Sequence, residues 1–509
     1  MSIYDTLDGS KLRRPGDFSL TDIKLISYRS KNGDSNPDFV GIETMVVEMN
    51  IYESIHNKCL SGDLLVVDAQ NIIEKLPLTG NERLSFKFIT PGQSLGYDFT
   101  METGNPMYIY KIDVRSQISP RSQVYILYFC SKEMIENELR VVDNAPTLTH
   151  SEMIANIVKD SNYLASAKNL FFEPSKGLHK QVFCRKRPFD AIDDISLVTR
   201  SVRFDNAGYN FYETSQGFYY RSMEHMLAVT QDAARPVKAR FSSKPANVKT
   251  DIANESLSLI PGAMGPVKDI QNEMQIIISY KIKTQFDTLK NLRNGIYASK
   301  LLSHDQFYKT VDEIDFDYAI SYPTNQHTES GPDGERIDGK GILPLYKREG
   351  SFLSSFPEST LYLYTNTSNR FENINNPPIN EILQKRLSQR LSFHSFKIEI
   401  IVNGFTGIQA GDLVTIEIPS FEPRDGTEPH DYDKIVSGRY LVTTVRHQLN
   451  RSQNKHQMVL ECMKDSIRSG YPDELNDTFI GKEVQIDGVT DLYVEDDLVF
   501  NSNNTNILV

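Results

Sequence analysis

Tryptophan is absent from this chain of 509 residues, and cysteine occurs only four times, at Cys59, Cys130, Cys184 and Cys462. No two cysteines form a C-x-x-C pair, so the sequence lacks the spacing of a zinc site or of a compact disulfide framework. Free cysteine is among the most buried residue types. We therefore expect buried free thiols in a reducing compartment.

Long apolar runs are also missing. The N-terminal stretch has no apolar core of the kind that a secretory signal needs. No segment approaches the roughly 20 apolar residues that span a bilayer as a helix. We expect a protein that is made in the cytoplasm and is not stably inserted into a membrane.

Excess positive charge is lacking as well, because 55 basic side chains face 67 acidic ones and the formal net charge is −12. Binding to a phosphate backbone needs a basic face. The charge balance therefore argues against general or sequence-specific nucleic-acid binding, although it allows DNA to pass by without being held.

Signatures of catalysis are missing too: the chain has no P-loop, G-x-G-x-x-G, H-E-x-x-H or G-x-S-x-G sequence. His447 and His456 fall on neighbouring predicted strands and are interpreted as packing residues. Asp190, Asp193 and Asp194 fit the first turns of a helix, where they oppose the positive end of its dipole. The sequence predicts no catalytic residue, no cofactor site and no metal site. A glycosidase-type carboxylate pair is left open, because 67 acidic side chains offer many pairs.

What the chain does contain is an internal repeat, whose two copies lie more than three hundred residues apart. Each copy has a Gly-Asp-Leu strand followed by a Val-Arg-x-Gln-type hairpin that ends in cysteine. The first copy consists of Gly62, Asp63, Leu64, Val114, Arg115, Gln117 and Cys130, and the second of Gly411, Asp412, Leu413, Val445, Arg446, Gln448 and Cys462. We predict two copies of one β-domain, with Val114 on Val445 and Cys130 on Cys462. Residues 84–89 are interpreted as a strand added in the first copy.

The predicted fold class is α+β and mainly β, with two similar antiparallel β-barrel-like domains, a small α/β middle domain and a loop-rich insertion. Apolar residues alternate with polar ones along 45–52 and 108–114, as they do in strands with one buried face. The predicted boundaries are 1–16 for a flexible arm, 17–137 for the first β-domain, 138–267 for the middle domain, 268–305 with 385–467 for the split second β-domain, 306–384 for the insertion and 468–509 for an acidic tail.

Several segments resemble the baseplate central hub protein of contractile-tailed bacteriophages. The stretches 393–398, 411–414, 438–442 and 458–462 resemble the closing β-domain of that family. The stretches 188–192 and 217–219 resemble its middle domain. The acidic tail and the long loops within 306–384 depart from the shorter family members.

The resemblance implies a structural virion protein without enzymatic activity. Three copies would form a homotrimeric ring, and the two tube domains of each copy would give pseudo-six-fold geometry. Such a ring adapts the hexameric tail tube to the trimeric central spike and leaves a lumen for DNA ejection. The implied partners are the central, cell-puncturing spike protein, the tail tube or a tube-initiator protein, and also the tape-measure and baseplate wedge proteins. The implied location is the tail baseplate of the virion, after synthesis in the host cytoplasm.

Two alternatives belong to other functional classes. One is a tail-associated cell-wall hydrolase. The other is a spike-type puncturing module, which would need a long C-terminal β-helix with short repeats. The residues from 468 onward are acidic and irregular instead.

Overall fold

The computed structural model describes residues 12–30, 38–93, 95–204, 208–228, 237–243, 270, 273–305, 308–329, 343–344, 353–366, 379–420 and 432–467. The predicted acidic tail at 468–509 lies outside the described residues. Most of the predicted arm at 1–16 and large parts of the predicted insertion at 306–384 lie outside them too.

The first β-unit is built from eight strands whose alternating apolar residues face one core. Its strands are β1 Ser19–Ile26, β2 Phe39–Gly41, β3 Val46–Ser54, β4 Ser61–Asp68, β5 Arg83–Ile89, β6 Gly96–Asp98, β7 Met107–Ser119 and β8 Ser122–Cys130. A short helix, α1 Ile72–Lys75, connects β4 to β5.

The middle segment, residues 132–228, packs helices against a small sheet. It contains α2 Lys132–Leu139, β9 Thr147–Leu148, α3 His150–Lys159, β10 Leu170–Phe172, β11 His179–Lys180, α4 Pro188–Val198, β12 Tyr209–Thr214, β13 Gly217–Ser222 and α5 Met223–Leu227. Thr149 and Glu152 form a capping box at the start of α3, where each side chain accepts the other residue's backbone N–H. Pro188 occupies the first turn of α4, where its missing N–H costs no hydrogen bond.

The second β-unit is formed by six strands between residues 239 and 464. They are β14 Ala239–Ser242, β15 Ile277–Thr284, β20 Phe396–Asn403, β21 Leu413–Glu417, β22 Gly438–Asn450 and β23 Lys455–Lys464, and β24 Ser466–Ile467 follows them. The chain between β15 and β20 contributes α6 Thr288–Arg293, β16 Ala298–Asp305, β17 Thr310–Asp317, α7 Tyr318–Ser321, β18 Leu343–Pro344, β19 Leu361–Asn366 and α8 Ile379–Phe393, with 3₁₀ turns at Tyr322–Thr324 and Pro357–Ser359.

The predicted mainly-β fold class is confirmed, but separately closed barrels are not. Both β-units belong to one sheet, whose path runs β15-β20-β23-β22-β3-β4-β8-β7-β5-β1-β2. Each unit has its own apolar core. Near the start of β3 the Ile42 N–H donates to the carbonyl of Ile23, and near β15 the Ser242 N–H donates to that of Gln275, both at 3.0 Å. These single bonds bring the outer strands of each unit together without a complete ladder.

The two β-units have the same strand order. In the first it is β1-β5-β7-β8-β4-β3, and in the second it is β14-β21-β22-β23-β20-β15. The correspondence also preserves the order of the strands along the chain, with the insertion placed in one connection. One pairing differs, because β1 runs antiparallel to β5 whereas β14 runs parallel to β21.

Irregularities in the ladders fix the register of this correspondence. The β7–β8 ladder shifts after Ile109, and the β22–β23 ladder shifts after Val442. The β3–β4 ladder shifts after Val46, and the β15–β20 ladder shifts after Ile277. When these shifts are aligned, Ile109 is equivalent to Val442, and Val46 is equivalent to Ile277. All four residues are buried, two in each core. A bulge at the same place in two ladders is a specific feature of a strand pair and supports a common origin of the units.

The residue pairs predicted from the repeat are wrong in this register. Cys462 corresponds to Phe129, which pairs with Ile109 as Cys462 pairs with Val442. The predicted partner, Cys130, is one residue further on, and a slip of one residue moves a side chain to the other face of a sheet. By the same ladders Val445 corresponds to Ile112, not to Val114.

The predicted match between the two Gly-Asp-Leu sequences is also wrong. Leu64 lies on β4 and corresponds to Ile400 on β20, whereas Leu413 lies on β21 and corresponds to Arg83 on β5. The strand at 83–89 is therefore the counterpart of β21 and is not an addition to the first copy. Both sequences follow a turn and start a strand, which explains the similarity without equivalence.

A buried lysine attaches the middle segment to the first β-unit. The Nζ atom of Lys168 lies 2.7 Å from Oε2 of Glu133 on α2 and 2.6 Å from Oε1 of Glu213 on β12. The other oxygen of Glu213 accepts the backbone N–H of Leu60 at 2.9 Å. None of the three charged side chains is more than 9% exposed. The ion pairs therefore join three parts of the chain in a low-dielectric setting.

The cysteines agree with the prediction at three of four positions. All four are free thiols, and Cys59, Cys130 and Cys462 are buried, whereas Cys184 is exposed. Burial is the main cause that raises the pKa of Cys130, to about 12. In the part of the chain that is described, no helix has the length and apolarity to cross a membrane.

Candidate assembly interface

The two β-units meet in a strand pairing that we call the seam. Residues 444–450 of β22 pair antiparallel with residues 48–54 of β3. On one face Nε of Arg446 donates to Oδ1 of Asn50 at 3.1 Å, and Nε2 of Gln448 donates to Oε1 of Glu48 at 3.1 Å. Asn50 in turn donates to Oδ2 of Asp63 at 2.8 Å. The seam thus brings together three of the residues that the repeat singled out.

A buried chain of hydrogen bonds lies on the opposite face of the seam. The Tyr97 hydroxyl donates to Oε1 of Glu53 at 2.6 Å and lies 2.9 Å from Nε2 of His447. Nδ1 of His447 lies 3.0 Å from Nε2 of His456. Burial lowers the pKa of His447 to about 3, and burial followed by the neighbouring ring lowers that of His456. Both rings are therefore neutral, and each donates one N–H along the chain.

Glu53 ties the seam to its surroundings. Besides the Tyr97 hydroxyl, its carboxylate accepts the backbone N–H of Ser215 at 3.0 Å and of Ala410 at 3.1 Å. Ser215 belongs to the turn between β12 and β13, and Ala410 precedes β21. Burial raises the pKa of Glu53 to about 7, although these three hydrogen bonds act in the opposite direction. One carboxylate thus holds both β-units and the middle segment together.

The strand that corresponds to β22 has a free edge. β5 pairs with β7 only through residues 83–84 and 107–108, and the described strands contain no partner for the rest of that edge of β7. The unpaired part carries Tyr110, Val114 and Ile118, which are 49%, 60% and 60% exposed. An exposed, apolar strand edge is a template for pairing with another chain.

The strand that corresponds to β3 also has a free edge. β15 is the terminal strand of the sheet path and pairs with β20 on one side only among the described strands. Ile278 is 46% exposed there. Lys281 and Lys283 lie on the same strand, and Lys283 contacts Glu399 at 2.6 Å. The described strands therefore include one completed seam, β22–β3, together with β7 and β15, the counterparts of its two strands, whose equivalent edges have no partner among the described strands.

The ladders also define how β7 of one chain and β15 of another would be aligned if they paired in the way that β22 and β3 do. Gln448 corresponds to Ser116, because each lies opposite the equivalent residue of the neighbouring hairpin strand. Asn50 lies opposite Asp63, and Lys281 lies opposite Glu399. Because Asp63 and Glu399 are equivalent, Asn50 corresponds to Lys281. Since Gln448 lies opposite Asn50 in the seam, Ser116 would lie opposite Lys281.

The other residues of the repeat have local roles. Leu64, Leu413, Val445 and Cys462 are core residues. Arg115 and Gln117 bond only within their own hairpin among the described contacts, to Oε1 of Gln123 at 2.9 Å and to the carbonyl of Ser119 at 3.0 Å.

The two glycines of the repeat are required for different reasons. A Cβ at Gly62 would meet the Phe129 ring at 2.3 Å, so the absence of a side chain there lets the ring cross the strand. Gly411 has φ +85°, and a Cβ there would meet the Tyr212 hydroxyl at 2.4 Å.

The sequence reasoning missed the residues that complete the seam. The alternation placed Asn50 on a strand, and no role was assigned from the sequence to Asn50, Glu53 or Tyr97. Glu53 offered a signal, because it occupies a position where an apolar residue would be expected in an alternating strand. The free edges of β7 and β15 carried no local signal, because an edge is defined only by which strands pair. The described residues contain no group of three or more potential metal ligands.

Comparisons with known proteins gave structural matches only. No protein-family model matches the chain, and neither does a curated protein. A tail protein from Neisseria meningitidis MC58 matches over 88% of this chain and 97% of its own, with 11% identity and a TM-score of 0.48. The 43 kDa tail protein of prophage MuSo2 from Shewanella oneidensis matches over 88% and 98%, with 9% identity and a TM-score of 0.45. A structure of the phage P2 baseplate matches over 86% and 98%, with 9% identity and a TM-score of 0.30.

Proposed function

We propose that the chain is a structural subunit of a phage tail baseplate hub, in which three copies form a ring of six similar β-units. The observation that supports the ring is the pairing of β22 with β3 in one chain, together with the free edges of their counterparts β7 and β15. The sequence resemblance to the baseplate hub family supports the location in the virion.

The ring follows from repeating the seam. If β7 of one chain pairs with β15 of the next, each β-unit contacts the following unit through equivalent strands. The contacts within and between chains then alternate around the ring. Such head-to-tail contacts close when the rotation between units divides a full turn, and six units correspond to three chains. Closure would also remove the exposed edges.

A ring of this kind offers a six-fold-like surface on a trimeric body. The proposed partners are therefore a hexameric tail tube or tube-initiator protein on one side and a trimeric central spike on the other, with the tape-measure and wedge proteins nearby. The lumen would let DNA pass, and the net negative charge of the chain favours passage without binding. The role is structural, and the proposal assigns no reaction to the chain.

The mass of the full chain in solution tests this proposal. Sedimentation equilibrium of the chain alone should give a species of three times 58.0 kDa, about 174 kDa, or, with the spike protein added, a complex that holds three copies of the chain and has the mass of the spike in addition. A chain that stays monomeric with the spike partner present would contradict it. Lysis of peptidoglycan by the purified chain in a zymogram would contradict the structural role and favour a hydrolase.

A further inference from the structure

A small cavity lies where α8, the turn between β3 and β4, and the middle segment meet. It has a volume of about 20 Å³, which is enough for one water-sized group. Arg386, Arg390 and His394 line it from α8 and the residues after it, and His56 lines it from the turn. Two arginines and two histidines therefore lie among the residues that line a space for a single small ligand.

Arg386 is the most unusual member of this group. It is only 7% exposed, and its Nε atom is buried with no hydrogen-bond partner in the described part of the chain. Buried arginines are normally paired with a carboxylate or bonded to carbonyl oxygens, since an unpaired buried charge is costly. Arg83, which is equally buried, donates to the carbonyls of Ser27 and Ser30. Among the described residues no oxygen accepts the Nε–H of Arg386 in this way.

Positively charged side chains near the cavity affect the two histidines that line it. The rings of His56 and His394 are stacked, with centroids 5.7 Å apart and an interplanar angle of 27°. Desolvation and then Arg390, Lys397 and Lys58 lower the pKa of His56 to about 4. Desolvation and then Lys397, together with His56, Arg390 and Lys290, lowers the pKa of His394 to about 4.

The carboxylate of Asp193 favours the charged form of Arg386, but this carboxylate is already paired with another cation. Asp193 forms an ion pair with Lys58 and is 55% exposed. Burial and then Arg390 lower the pKa of Arg386 to about 10, so the guanidinium stays charged at neutral pH. Arg386 and Arg390 thus line one cavity, and lysines of α6, β20 and the β3–β4 turn act on the two histidines that line it as well. Within the described part of the chain, the carboxylate that acts on Arg386 is already paired with Lys58.

We infer that this cavity is a binding site for one small monovalent anion, either chloride or a single carboxylate group. An anion there would accept the free Nε–H of Arg386 and face the stacked imidazoles. The volume of about 20 Å³ holds one water-sized species, and a halide or one carboxylate oxygen matches that size. The site is independent of the seam and of the proposed ring.

The test measures the thermal unfolding midpoint of the full chain at constant ionic strength. Sodium isethionate is replaced stepwise by sodium chloride or by sodium acetate, because a ligand that binds the folded state raises the midpoint saturably. We expect a saturable rise with at least one of the two salts. Saturation by chloride alone identifies a halide site, and saturation by acetate alone identifies a carboxylate site. A linear response to both salts, or none, would overturn the inference.

Variants locate the effect. Arg386→Gln should weaken anion binding at least tenfold, and Arg390→Gln, at an exposed position that does not endanger folding, should weaken it several-fold. Arg140→Gln is the matched control, because Arg140 is exposed and pairs with Glu136 on α2. Binding that is equal in all three variants and the wild type would overturn the site.

Two further readouts do not depend on the Arg386 variant folding. Affinity should be several-fold tighter at pH 5 than at pH 8, because a bound anion raises the pKa of His56 and His394 and is therefore favoured when they are protonated. In crystals grown with sodium bromide, an anomalous peak should lie beside Arg386. An empty cavity at saturating bromide would contradict the inference.

Discussion

Replacing Lys168 by methionine should be among the most destabilising single changes in this chain. The substitution keeps most of the side-chain volume but leaves the carboxylates of Glu133 and Glu213 buried without their shared counter-ion. Breaking a buried ion pair from one side costs about 3–5 kcal/mol. With a urea m-value of about 3 kcal/mol/M, the unfolding midpoint at pH 7 should fall by at least about 1 M.

The pH dependence separates this mechanism from simple loss of packing. Without Lys168, burial raises the pKa of both carboxyl groups above their unfolded values near 4, so their ionisation opposes folding as the pH rises. The deficit relative to wild type should therefore be largest at pH 7 to 8 and should shrink as the pH falls towards 4.5. Adding Glu213→Gln to the variant should restore part of the loss at pH 7.

The control for this series is Lys58→Met. Lys58 pairs with Asp193, which is 55% exposed, and exposed pairs contribute less than about 1 kcal/mol. Urea unfolding monitored by circular dichroism provides the measurement. A loss below about 1 kcal/mol for Lys168→Met, or a loss that does not change with pH, would refute the argument.

Three further changes test the strands around the seam. Gly62→Ala should cost about 1–3 kcal/mol in urea unfolding, because its Cβ would overlap the Phe129 ring, whereas Gly41→Ala, with open space around it, should change little. Val114→Gly should be neutral or should stabilise the chain by up to about 1 kcal/mol, since a β-branched residue at φ +53° is strained; a clear loss of stability would contradict this. His447, with a folded pKa of about 3, binds its proton only on unfolding, so stability should fall as the pH drops below about 6.5, and His447→Gln should flatten that fall.

Much of the local structure could be predicted from the sequence because it depends on nearby residues. The period-2 alternation along 45–52 identified β3, and the stretch 84–89 was identified as a strand, which is β5 in the structure. The alternation failed within β7, where Tyr110 and Val114 were placed on one face with Ile112. Ladder shifts after Ile109 and Asp113 change the phase, so the buried residues are Ile109 and, in part, Ile112.

The correspondence between the β-units could not be predicted residue by residue. The similar residue types in the two hairpins suggested that Cys130 is equivalent to Cys462. The hydrogen-bond registers show instead that Phe129 is equivalent to Cys462. Because phenylalanine and cysteine occupy this equivalent core position, matching identical residue types between the two copies did not identify the equivalent residues. The seam depends on residues almost four hundred positions apart, and Glu53 gains its role only when Tyr97, Ser215 and Ala410 converge on it.

A cysteine cross-link between β7 and β15 tests the central claim most directly. By equivalence with Gln448 and Asn50 in the seam, Ser116 of one chain should lie opposite Lys281 of the next, within the Cα separation that a disulfide requires. The substitutions Ser116→Cys and Lys281→Cys are made together in a Cys184→Ser background, which removes the exposed native thiol. The account predicts covalent trimers on non-reducing gels after mild oxidation, and monomers for either single variant or for Ser116→Cys with Lys24→Cys on β1. Monomers from the Ser116–Lys281 pair, under conditions in which the chain is associated, would contradict the ring.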